Sequence, residues 1–232
     1  MNVSTTKNDE PTQPPKREPE RLPPERPGQP GGKRDRNRKA RIEALAGAGL
    51  RLFLERGVDA VTIDDIAKEA GTAKGNFYRY FTDKGDLVEG ILEPLETRVR
   101  EAMDRCEEAL ERANDDASLF RAYQAFALTL IPVTLEHPDV VRLYLQESRA
   151  PSAGARAPIR ALADEIRVRA IDLTEFAVDH RLLRIPDPRV SALAVIGAVE
   201  QLAFTVLTGQ LDLPADQIAG TLISLVLSGI RG

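Results

Sequence analysis

The stretch TIDDIAKEAGTAKGNFYRYFTDKGDL, Thr62 to Leu87, decides how this chain folds. Thr62 with Asp65 three residues later has the spacing of a capping box, in which side chains satisfy amides that the first helical turn leaves free. Ile63, Ile66, Ala67 and Ala70 then recur at helical spacing for about two turns, and Gly71 stops them. A third helix is expected over Ala73 to Tyr80, and a fourth starts near Asp83, which can cap it, with Asp86 three residues on. Helices this short do not stand alone in water. Phe53, Ile63, Ile66, Ala67, Phe77, Phe81 and Leu87 are therefore expected to close one small core around them.

Working outward, Ile42, Leu45, Gly49, Leu52 and Phe53 share one face of a first helix running from Arg38 to Arg56, ended by Gly57. Before it, Lys33, Arg34, Arg36, Arg38, Lys39 and Arg41 form a basic run broken only by Asp35. Such a run is either a solvated flank or an arm lying along phosphates or in a minor groove. Residues 1–32 are rich in Pro, Glu, Arg and Lys and read as a disordered arm, because little beyond Val3 and Leu22 is available to bury. Downstream, helical patterns cover roughly 83–113, 117–135, 138–149, 156–182, 188–208 and 214–230. Pro94 and Pro132 fall inside two of them and should bend the rods. With no strand pattern and no internal repeat, the fold class is all-α.

The net charge of −4 hides an asymmetry. Residues 33–84 carry 12 Lys/Arg against 8 Asp/Glu, and residues 85–232 carry 15 against 23, so a basic front meets an acidic back. Cys106 is the only cysteine, which rules out an internal disulfide, and His137 and His180 stand apart from any metal-ligand spacing. Both histidines sit at helix ends, where capping and the helix dipole explain them. No apolar run approaches the roughly 18 residues of a membrane span, so no membrane partner is expected and the cytoplasm is the expected compartment. Phosphate loop, nucleophile elbow and acid/base pair are all missing, so neither an enzyme nor a cofactor is expected.

The quoted stretch resembles the helix-turn-helix of the TetR family of bacterial regulators. The resemblance is strong as motif over about residues 38–99, with the recognition motif at 62–81, and it reaches the remainder only as an all-helical ligand-binding and dimerisation domain. It implies an N-terminal three-helix DNA-binding domain at 33–87 and a C-terminal domain at 88–232. A recognition helix keeps Phe77 and Phe81 inward and presents Lys74, Gly75 and Asn76 to base edges in the major groove. Glycine allows close approach, Asn76 suits adenine or phosphate, Lys74 brings charge, and Arg79 a fork of donors. By resemblance Thr62, Tyr78, Tyr80 and Lys84 touch phosphates, setting register rather than base preference. Arg41, at the end of the basic run, joins them as a DNA-binding candidate. Ala73 stands where relatives often carry serine, and Tyr80 where histidine is common.

Residues 190–208 hold only Glu200 as a charge and 217–230 hold none. Helices apolar all round require burial all round, so these two are expected to pair with their mates in a symmetric homodimer near Phe204 and Leu225. Two recognition helices roughly 34 Å apart would read a palindromic operator in double-stranded DNA. Tyr123, Phe126, Tyr144, Phe176 and Gln201 are candidates to line an apolar cavity for a small, largely apolar inducer that shifts the fourth helix and releases DNA. The alternative is a DNA-binding dimer without an inducer, acting as an architectural or partner-regulated factor.

Overall fold

Nine α-helices and one 3₁₀ turn carry residues 30–228, the part of the chain this computed structural model describes. In order they are α1 (Lys33–Arg56), α2 (Ile63–Glu69), α3 (Lys74–Phe77), α4 (Lys84–Glu111), α5 (Asp116–Glu136), α6 (Pro138–Glu147), the 3₁₀ turn (Gly154–Arg156), α7 (Ala157–Asp179), α8 (Pro188–Leu207) and α9 (Ala215–Ser228). No strand occurs among the described residues. The fold is all-α, as the sequence predicts. The arm expected at 1–32 falls, for residues 1–29, outside the described residues.

Local chemistry sets the helix ends. The Asp65 amide donates to Thr62 Oγ1 at 3.2 Å and the Thr62 amide to Asp65 Oδ2 at 2.9 Å, completing the capping box of α2. Asp83 caps α4 by accepting from the Asp86 amide at 2.9 Å, and Asp115 with Ser118 forms a second box at α5. Gly57 ends α1 at φ 79°, a left-handed value that a β-carbon would oppose, and its amide returns to the Phe53 carbonyl at 2.8 Å.

Two boundaries differ from expectation. The basic run is no arm: it forms the first turns of α1, which starts at Lys33 rather than Arg38. Lys and Arg are good helix formers, nothing in the run breaks a helix, and Asp35 serves the first turn by accepting from the Gly31 amide at 3.0 Å and meeting Lys39 at 3.5 Å. Helix α3 is shorter than 73–80, because after Phe77 the bonds tighten, Arg79 N to Asn76 O and Tyr80 N to Phe77 O, into turns.

The core is larger than the small one expected. Phe53, Ile66, Phe77 and Leu87 are fully buried in a cluster that also takes in Leu143, Ile159 and Leu162 from α6 and α7. The expected division at 87/88 lies inside α4, and the core runs across it. Helices α1 and α4 approach closely at Gly49, where a β-carbon would sit 2.8 Å from Leu87 Cδ2. A second cluster, including Cys106, Leu110, Leu119 and Leu173, fills the far end.

The expectation that no stretch nears membrane-spanning length is not met. By length and composition alone, α5 and α8 are each apolar enough to cross a bilayer. Their composition has a reason within the fold, since one face of each lines an internal cavity. Neither helix is mostly buried among the described residues.

Truncating the Phe77 side chain to alanine should cost about 3–5 kcal/mol of unfolding free energy, and Thr62→Ala about 1 kcal/mol through loss of the cap. Urea titration of the full chain followed by circular dichroism checks both. Equal effects would show that the cap contributes as much as the buried aromatic.

Candidate functional site

Helices α2 and α3 with the turn between them form one face, and hydrogen bonds from residues the sequence singles out hold it. Lys74 Nζ lies 2.9 Å from Asp64 Oδ2, an exposed pair that ties the start of α3 to the start of α2. The hydrogen bond to Asp64 raises the lysine's pKa above its ordinary value. Asn76 Nδ2 donates to Thr72 Oγ1 at 2.8 Å. Asn76, Tyr80, Thr72 and Arg41 border a shallow crevice between α1 and the α2–α3 pair. Three of the nine expected DNA-binding residues, Arg41, Asn76 and Tyr80, thus come together from two separate stretches.

The aromatic segment is packed more tightly than helical spacing implies. Phe77 meets Tyr78 edge-on at 5.6 Å and Phe81 at 5.5 Å, and Tyr78 and Tyr80 both rest half-buried against the core. Arg79 is also half-buried, and its Nε has no hydrogen-bond partner among the described residues. Gly75 is partly covered, whereas Arg41 and Thr62 are exposed.

Lys84 is placed differently from a free phosphate contact. Its Nζ donates to the carbonyls of Val58 and Val61, each at 2.7 Å, with Asp59 O at 3.4 Å. Partial burial lowers its pKa, opposed by the nearby Asp59 charge. The ammonium staples the loop between α1 and α2, and so helps set where Thr62 begins the next helix.

The same loop is gripped from the other side by a residue the sequence reading passed over. Glu147, at the end of α6, is buried; its Oε1 accepts from the Val58 amide at 3.1 Å and its Oε2 from Arg156 Nε at 2.5 Å. Arg156 also pairs with Asp59. Val58 and Glu147 lie 89 positions apart, a separation that no local pattern spans.

Behind this face a cavity of about 360 Å³ opens between α4, α5, α6, α7, α8 and α9. Of the expected lining, Tyr123, Phe126 and Tyr144 are present. Phe176 and Gln201 are not. Phe176 stacks on His180 with centroids 3.9 Å apart, beside the hydrogen bond between His180 Nδ1 and the Phe176 carbonyl that closes α7. Gln201 is exposed and bonds Thr205, on the same side of α8 as Leu193 and Phe204. Thr134, Thr174, Ser191 and Glu200 were missed; a lone charge in an apolar helix was the visible signal for Glu200.

Burial pushes the Cys106 thiol up to about 11, with the Glu107 charge adding to it, so this thiol is protonated and inert near neutrality. Desolvation also raises the Tyr123 and Tyr144 hydroxyls, the latter helped by Glu200. Tyr144 Oη donates to Glu200 Oε1 at 2.9 Å, and Arg149 Nη2 reaches Glu200 Oε2 at 3.2 Å. Among the described residues no group of His, Cys, Asp and Glu is arranged to hold a metal.

Residues 45–91 match the profile of bacterial regulatory proteins of the tetR family, and residues 123–230 match that of tetracyclin repressor-like C-terminal domains. The HTH-type transcriptional regulator YvdT of Bacillus subtilis is 30% identical over 103 residues, 44% of this chain and 50% of that protein. The chain spans half or less of the length of the curated relatives it matches. Among solved structures, FadR of Bacillus subtilis in complex with stearoyl-CoA is similar at TM-score 0.60 and 16% identity, covering 81% of this chain and 98% of that one. AibR in complex with isovaleryl coenzyme A and operator DNA follows at TM-score 0.56 and 21% identity, covering 81% and 98%. At these identities the likeness is one of fold.

Lys84→Met should lower stability by about 1–3 kcal/mol, since buried carbonyls lose their donor. Lys74→Met, which breaks only an exposed pair, should have a smaller effect that disappears in high salt. Thermal unfolding at two ionic strengths distinguishes the two roles.

Proposed function

The chain belongs to the tetR family of bacterial regulatory proteins, and on that premise we propose that it is a homodimeric transcriptional repressor, cytoplasmic, that leaves a palindromic operator when a small, largely apolar ligand fills its cavity. The carrying observation is the juxtaposition in one chain of a capped α2–turn–α3 face beside the basic start of α1 with an apolar cavity behind it. AibR, solved with both a small molecule and operator DNA, supports pairing these two features.

On this reading residues 33–87 bind DNA and 88–232 bind ligand and partner, with α4 common to both. Gly75, Lys74 and Asn76 approach base edges, Lys74 by exchanging Asp64 for DNA. Arg41, Thr62, Tyr78, Tyr80 and Arg79 contact the backbone. Lys84 acts mainly by setting the loop.

The dimer reading is supported by α8 and α9. Val190 is 64% exposed, Leu193 47%, Phe204 38% and Leu225 47%, although helices this apolar require cover. Gly197, on the face shared by Leu193 and Phe204, has open space beyond it, which lets a partner helix come close.

Selection from random duplexes should recover an inverted repeat. Asn76→Ala should narrow the affinity gap between that repeat and a scrambled duplex, whereas Tyr78→Phe should weaken both alike. Leu193→Asp combined with Phe204→Asp should give a monomer by light scattering that no longer prefers the repeat over a half-site. A wild-type monomer, or recovery of single half-sites, would overturn the dimeric reading.

A further inference from the structure

The cavity carries one chemical asymmetry. Among the described residues that line it, Glu200 is the only charged side chain, and no Lys, Arg or His takes part. The remainder is aliphatic or aromatic, with the hydroxyls of Tyr123, Tyr144, Thr134, Thr174 and Ser191 as polar points. Thr134 and Thr174 spend theirs on backbone carbonyls one turn back, at 3.2 Å and 2.7 Å. A carboxylate beside so much apolar surface needs a cationic or donating partner, because an unpaired charge there is costly.

Glu200 has two such partners of unequal standing. Tyr144 is buried in the wall and bonds one oxygen. Arg149 bonds the other from outside: its side chain is 72% exposed, against 18% for Glu200. The exposed member can return to water at little cost, since exposed ion pairs contribute little. Glu200, only partly exposed and set against apolar surface, is costlier to leave without a counter-charge. A ligand that displaces Arg149 must therefore bring its own positive charge or strong donor to Glu200 Oε2, while an anionic ligand that drew Arg149 away would strand the carboxylate and meet it at close range.

We propose that the cavity takes a lipophilic cation, an alkyl or arylalkyl ammonium, whose head replaces Arg149 on Glu200 while its apolar body fills the space between α5, α8 and α9. This rests on the reading of the cavity as the ligand site, and it separates the chain from neighbours of the same fold solved with stearoyl-CoA and isovaleryl coenzyme A, whose ligands are anions. Tyr144 keeps its bond to Glu200 and fixes the carboxylate for the incoming head. The apolar body sets affinity and the charge sets selectivity.

The test uses three probes with one chain and three heads, octylammonium, octanol and octanoate, below their micellar concentrations, titrated calorimetrically into the full-length protein and into Glu200→Gln and Arg149→Ala. Octylammonium should bind wild type at least about tenfold more tightly than octanoate, and Glu200→Gln should remove that preference while leaving octanol unchanged. Arg149→Ala, which vacates the carboxylate, should tighten octylammonium binding. If octanol and octanoate bind but octylammonium does not, or Glu200→Gln leaves selectivity intact, the cationic class is overturned and the ligand site stands. If none of the three binds, the ligand-site reading falls with it. Unfolding midpoints recorded alongside show whether Glu200→Gln acts through stability, since a purely structural carboxylate would lower the midpoint and weaken all three probes equally.

Discussion

Glu147 ties the loop after α1 to the end of α6 and to the turn that follows it. Its buried carboxylate accepts the Val58 amide through one oxygen and the Arg156 guanidinium through the other, and Arg156 passes on to Asp59. The residue before Val58 has to be glycine on two counts, for Gly57 takes φ 79° and a β-carbon there would come within 3.3 Å of Glu147 Oε1. Removing one member of such a buried arrangement typically costs about 3–5 kcal/mol, because the survivor is left charged and unpaired. Lys84 binds the same loop through the Val58 and Val61 carbonyls. The Val58 amide is thus held from α6 and the carbonyls of Val58 and Val61 from α4, which helps to fix the exit of α1 and the entry to α2.

Helix α6 is only ten residues long, and its two functions sit three positions apart. Tyr144 meets the cavity and Glu200; Glu147 meets the loop that launches the helix-turn-helix. At that spacing both lie on one side of the helix. One short element thus contacts both the cavity and the loop between α1 and α2.

Much of the fold was legible because its signals are local. Thr62 with Asp65, Asp83 with Asp86, and the stops at Gly57 and Gly71 depend on residues within a turn of one another, so the linear order contains them. The start of α1 was misplaced because a charge run was weighed by its solvation and not by the helix propensity of Lys and Arg. In the candidate site, spacing identified Lys74, Asn76 and the aromatic segment but not their partners, since Asp64 lies in the preceding helix and Thr72 in the turn between the two. Phe176 and Gln201 were assigned to the cavity by residue type; the rotation of α7 and α8, which set them outside, is decided by packing against other helices. The pairs that join distant parts, Val58 with Glu147 and Tyr144 with Glu200, are 89 and 56 positions apart and leave no trace in periodicity.

The single core that unites Phe53 and Phe77 with Leu143 and Ile159 has a bearing on modularity. In many regulators the DNA-reading part is a cassette, able to be cut out and joined to another body. Here Leu87, Ile91 and Leu92 on α4 are buried by the front helices and by α6 and α7 at once. A cut near residue 87 would open the hydrophobic interior on both sides of the break. Separating the front helices would therefore strip cover from Leu87, Ile91 and Leu92 on α4.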